Sequence, residues 1–249
     1  MITLQPINEF KKLDGKVYWG RLTIEGADHD SFEGLNEIWA RDKHRIYTYE
    51  RPLRGADRDS FIVLNKIYAK DKNKVYFLSG SIQDANPAAF RALDAGWFVS
   101  SSNLETCQGY GADDANVFHY VLTIGKPRLI KGADLPTFRV LQYGYAMDKA
   151  RVYDEGVRLP KADPASFRQL GYHYSTDGTR VYYGNTILEG ADPGTFQVSP
   201  DDQCHGFDKN QKYDRHKVVP KLPEPTAGDG GSSAVAVPFK SRRWFGFLR

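Results

Sequence analysis

The chain repeats itself, and that limits what it can fold into more than any other feature. IEGADHDSFEGL, LRGADRDSFIVL, IKGADLPTFRVL and ILEGADPGTFQV are copies of one pattern, with IQDANPAAFRAL and LPKADPASFRQL as looser versions. The aligned acid or amide falls at Asp28, Asp57, Asn86, Asp134, Asp163 and Asp192, so four of the five spacings are 29 residues and the remaining one is 48. A phenylalanine follows four positions later in every copy, at Phe32, Phe61, Phe90, Phe138, Phe167 and Phe196. Units this short cannot bury an apolar face alone, so neighbours must stack.

A second block alternates with the first: WARDKHRIY, YAKDKNKVY, YGADDANVF, YAMDKARVY and YSTDGTRVY. Asp14-Gly15 with Val17-Tyr18 opens the series one position shorter, and Phe207-Asp208-Lys209-Asn210 with Tyr213 closes it in degenerate form. Asp-Lys and Asp-Gly turns between short Tyr/Val/Ile runs read as hairpins. Asp followed by Pro, then Ser or Thr and Phe, reads as a helix N-cap with Pro in the first turn. Phe61 with Leu64, and Phe138 with Leu141, would then share one face of a helical turn. The expected fold is α+β and β-rich, an array of about six and a half repeats, each two or three short antiparallel strands plus a short helical turn. Residues 1–220 form the repeat domain, with an insertion near 94–130, and 221–249 a Pro/Gly/Ser-rich linker and basic-aromatic tail.

Charge and composition exclude several functions. Of 34 Lys/Arg and 31 Asp/Glu, five and two lie from Lys221 onward, leaving 29 of each in residues 1–220. A neutral body is not a nucleic-acid footprint. Two cysteines, Cys107 and Cys204, give neither a disulfide framework nor a zinc spacing. The six histidines show no metal spacing, and no Walker loop, GxSxG or GxGxxG occurs. The row of aspartates tempts a calcium reading, but no copy has the dense carboxylate alternation of a calcium loop. Capping and turn closure account for the aspartates, and core packing accounts for the Tyr and Phe ladder. No enzyme, metal or cofactor is expected. The first fifteen residues lack an apolar signal core, so a cytoplasmic location is expected.

Asp71-Lys72-Asn73-Lys74-Val75-Tyr76-Phe77 and Asp177-Gly178-Thr179-Arg180-Val181-Tyr182-Tyr183, alternating with GADPxTF, resemble the bacterial DKNYY repeat family over roughly residues 14–219. The resemblance implies a binding scaffold, and some relatives of this kind look like immunity proteins encoded beside secreted toxins. It suggests a partner: a cognate cytoplasm-acting toxin, such as a type VI secretion effector and a nuclease before a wall hydrolase. A structural or adaptor repeat protein, membrane-peripheral through its tail, is the alternative. A third reading is an enzyme or carbohydrate-binding module, whose sign would be a cleft with perturbed titratable groups.

The irregular segment points to the partner surface. Thirteen extra residues lie between Leu93 and Tyr110, and six more between Asp113 and Asp134. Aromatic anchors with a polar rim make interface hot spots, so Trp97, Phe98, Asn103, Glu105, Tyr110, Lys126 and Arg128 are the candidate partner-binding residues.

Overall fold

The computed structural model describes residues 9–99, 105–171 and 173–220, with the backbone alone at 97–99 and 105–106. The proposed tail, 221–249, lies outside the described residues, as does Asn103.

Each hairpin block becomes the centre of one small antiparallel sheet, and the described residues form seven of them. Sheet 1 joins Phe10–Leu13, Lys16–Trp19 and Leu22–Thr23. Sheet 2 runs through Glu33–Gly34, Trp39–Arg41, Ile46–Thr48 and Arg51–Pro52, and sheet 3 through Ile62–Val63, Ala69–Lys70, Val75–Phe77 and Gly80–Ile82. Sheet 4 departs from the pattern: Arg91–Ala92, the long strand Glu105–Ala112, Val117–Val121 and Arg128–Leu129, with Trp97–Val99 as a fifth strand on the long one. Sheets 5 to 7 return to four strands, centred on the pairs Tyr145–Met147 with Val152–Asp154, Tyr174–Thr176 with Val181–Tyr183, and His205–Phe207 with Lys212–Asp214.

The α+β expectation, with a helical turn in each repeat, is overturned. The described residues hold only three-residue 3-10 turns, at Arg58–Ser60, Leu135–Thr137 and Gln142–Gly144. The capping chemistry operates without a helix behind it. Asp57 accepts from the Ser60 amide at 3.1 Å and its hydroxyl at 2.7 Å, but Phe61 already has φ −70° and ψ 126°. The chain then enters the strand Ile62–Val63, which pairs with Lys70 and Ala69. Phe138 and Leu141 are likewise separated by a strand, Arg139–Val140, and share no helical face. Four residues between cap and strand cannot repay helix nucleation when strand pairing competes for the same backbone.

Strands such as Val75–Phe77 are buried along their whole length because neighbouring sheets cover both faces. The repeated Phe cements each junction. Phe61 lies 5.8 Å from Trp39 of sheet 2 and 5.9 Å from Tyr76 of sheet 3; Phe138 and Phe196 sit in the same way between Tyr110 and Tyr153, and between Tyr174 and Tyr213. From sheet 3 onward a tyrosine hydroxyl in each junction also donates to the next sheet's backbone: Tyr68 to Gly109, Tyr110 to Gly144, Tyr145 to His173 and Tyr174 to Cys204. At the last sheet of the described residues the equivalent residue is His205, held between Asp202 and Asp214.

The turn aspartate holds two segments at once. Asp71 Oδ1 accepts from the Asn73 and Lys74 amides, while Oδ2 accepts from the Asp57 amide and the Tyr76 hydroxyl, all at 2.7–2.8 Å. Lys72 reaches the cap Asp57 at 2.7 Å, as Lys43 reaches Asp28, and Lys149 and Lys209 reach Asp134 and Asp192. Sheet 4 swaps both partners: Asn86 stands for the cap and donates to Asp114, which stands for the lysine.

Close packing sets one mutational expectation. A Cβ on Gly111 would lie 2.5 Å from Phe90 Cζ and 3.2 Å from a Tyr68 ring carbon. Gly111→Ala should lower stability by about 1–2 kcal/mol, read as a lower urea midpoint; an unchanged midpoint would mean the junction repacks freely.

Candidate functional site

The residue after the hairpin aromatic meets the next sheet beside the residue one place further on in that sheet's copy. In the first half of the array these meetings are closed by bulky or hydrogen-bonded groups. Trp19 packs edge-on against Tyr49 at 4.8 Å, Thr48 donates to the Leu78 carbonyl at 3.0 Å, and Phe77 packs on Tyr120 at 5.7 Å. In the second half the same positions turn ionisable: His119 faces the Glu155 backbone, Asp154 faces Gly184, and Tyr183 meets Arg215.

Between sheets 5 and 6 the pair is a short acid and a glycine, and a cleft of about 300 Å³ opens there. Its walls include Asp154, Glu155, Tyr183, Arg128, Ile124 and His216. Sheet 4 contributes Ile124 and Arg128 because its enlarged hairpin overhangs the following sheets. Burial, and then the Glu155 charge, push the Asp154 carboxyl up to about 7. Burial also raises Glu155, opposed by the nearby Gln108 amide and the charge of Arg128.

Behind the cleft lies a buried polar inlay. His119 and Gln108 are 1% and 3% exposed and meet Nε2 to Oε1 at 2.8 Å. Burial, with the Arg128 charge, holds His119 down to about 3, so the ring is neutral at pH 7. The Tyr110 hydroxyl donates to the Gly144 carbonyl at 2.7 Å and accepts from the Gly156 amide at 3.0 Å, pinning sheet 5 beneath the cleft. Burial raises Asp94 to about 6, although it accepts from the Gly96 and Tyr110 amides.

The sequence-derived candidates divide on inspection. Trp97, Phe98 and Glu105 have described backbones that pair with Cys107, Thr106 and Val99. Tyr110 is 1% exposed; its place in the junction puts it out of a partner's reach, which corrects that assignment. Lys126 is exposed near the hairpin tip and Arg128 is half-buried in the cleft wall. Sequence reasoning missed Leu122, Ile124, Leu129, Asp154, Glu155, Tyr183 and His216. The signal was present: in register, the residue after the aromatic runs Trp, Thr, Phe, then His, Asp, Tyr, Asp. The overhanging hairpin also exposes apolar residues, with Leu122 54%, Ile124 41% and Leu129 39% exposed, as Leu13, Leu22 and Ile62 are elsewhere in the array.

Cys107 and Cys204 form no disulfide with each other. Among the described residues no helix is long and apolar enough to cross a membrane. A family model described as the DKNYY family matches residues 39–186 and 161–217. No curated protein matches the chain, and no solved structure does.

Proposed function

The chain belongs to the DKNYY family, and from that membership and the form of sheet 4 we propose that it is a non-enzymatic protein-binding module. The specific reading is an immunity protein that binds and neutralises a cognate cytoplasm-acting toxin, a type VI effector such as a nuclease. The observation that carries it is the overhanging hairpin. The one sheet that breaks the repeat presents Leu122, Ile124 and Leu129 to solvent, with Lys126 and Arg128 on the same hairpin and a polar cleft beside it. Exposed apolar anchors within a polar rim are the composition of an interface hot spot. The recurring polar residues, by contrast, are engaged in turns and caps.

Co-expression with the toxin encoded beside it tests the reading. The wild-type chain should restore growth and co-purify with the toxin. The double variant Leu122→Asp/Ile124→Asp should weaken capture by at least about tenfold while leaving the urea midpoint nearly unchanged. Failure of the wild-type chain to rescue or co-purify refutes the reading, and full capture by the double variant removes the hairpin from it.

A further inference from the structure

We propose that the cleft between sheets 5 and 6 receives a basic side chain of the protein partner, its guanidinium or ammonium head against the Asp154 carboxylate and its alkyl stem along Tyr183. The choice of a protein as source rests on the function proposed above; the chemistry of the cleft does not.

The cleft is a departure from the repeat, since the equivalent junctions are filled by Trp19 on Tyr49 and by Phe77 on Tyr120. Here one partner is Gly184, where any Cβ would lie 3.3 Å from Asp154 Oδ2. The glycine leaves the approach to that oxygen open. At about 300 Å³ the space is at the small end of ligand pockets, suited to one long side chain.

Its charge is unbalanced in one place. The turn and cap aspartates of the repeat are engaged: turn aspartates accept backbone amides, and caps such as Asp57 and Asp134 pair with lysines. Glu155 has the Gln108 amide and the Arg128 charge nearby. No described hydrogen bond or ion pair reaches the Asp154 carboxylate, whose surroundings supply only burial and a second negative charge. A half-buried anion in that setting favours a cation with hydrogen-bond donors. Tyr183 lines the same space and offers a ring to such a cation, while exposed Leu122 and Ile124 on the neighbouring hairpin would shield the pair from water.

Two arms test the proposal on the full chain. In the first, butylguanidinium and its uncharged analogue butylurea are titrated by NMR. Saturable shifts centred on Asp154, Tyr183 and Gly184 are expected with butylguanidinium and not with butylurea. Asp154→Asn should weaken binding by about tenfold or more, and Tyr183→Leu by a smaller factor, each with wild-type dispersion elsewhere in the spectrum. Equal binding of both probes, no binding, or wild-type affinity in Asp154→Asn would overturn the cation site. In the second arm the toxin's affinity for wild type and Asp154→Asn is compared. A loss of about tenfold or more, cancelled when one toxin Lys or Arg is changed to Met, is expected. Toxin binding that ignores Asp154, with butylguanidinium still bound, overturns the protein source. Butylguanidinium binding without any toxin capture overturns the immunity reading and leaves the cation site standing.

Discussion

Asp71→Ala is expected to destabilise the protein by about 4 kcal/mol, a large loss for a single polar side chain. Asp71 is 3% exposed and holds three backbone amides and one phenol hydroxyl. Its removal strands donors that the surrounding sheets shield from water, at about 1–3 kcal/mol for each one left unpaired. Asp71→Asn should be nearly as damaging, because an amide NH₂ in place of Oδ2 would oppose the Asp57 amide and the Tyr76 hydroxyl with another donor. Lys72→Ala is the control. Its ammonium reaches the same cap but is 63% exposed, so its loss should cost far less than that of Asp71. Urea denaturation reads all three. If Asp71→Ala and Lys72→Ala cost the same, the aspartate is not the hub of its unit.

The same bonds predict acid sensitivity. Backbone amides that donate to the charged form, joined by the hairpin phenol except at Asp113, outweigh burial and hold Asp71 below the usual carboxylate range, as they do Asp42, Asp113, Asp148 and Asp208; Asp177 is lowered to about 2. For a depressed acid the stabilisation is complete above the unfolded value, near pH 4, and is lost as pH falls through the folded one. Six such groups in successive units should make unfolding below pH 4 steep.

What was legible in the sequence was whatever recurs. The 29-residue period marked the units, and Asp71 and Asp57 could be assigned to turn and cap because each copy supplied the same neighbours. The helical turn was misread because an Asp-x-x-Ser cap signals only that a turn begins. What ended it was Ile62 pairing with Lys70, a contact made after the chain has gone round a loop. The cleft was harder for the opposite reason. Asp154 and Gly184 look like tolerated variation in their own copies, and only the offset between sheets, the third-strand residue of one against the turn of the next, shows that they meet. Tyr110 borders the insertion and so joins the candidate partner-binding residues, whereas its hydroxyl bridges Gly144 and Gly156 at the core of a junction.

Asp154→Asn is expected to stabilise the protein, and the gain should grow with pH. Burial raises the folded-state carboxyl to about 7 against 3.8 for the free group. The folded state therefore binds a proton that the unfolded state has released, and stability falls as pH rises from about 4 to about 7. Three units correspond to roughly 4 kcal/mol at most, and partial exposure to solvent reduces this to roughly 2 kcal/mol. Asparagine carries no charge at any pH and escapes the penalty. The variant's advantage should be clearly smaller at pH 4.5 than at pH 8, where it reaches roughly 2 kcal/mol, measured by urea unfolding at each pH so that the other carboxylates cancel in the difference. A gain that is the same at both pH values would mean that Asp154 does not titrate in this window. The unfavourable charge also bears on why an acid stands there: at the equivalent place Phe77 fills its junction, whereas Asp154 leaves a space and an unbalanced anion. A residue that weakens its own fold in this way fits a binding group whose partner supplies the missing cation, and adding butylguanidinium at pH 8 should recover part of the lost stability in wild type and none in Asp154→Asn.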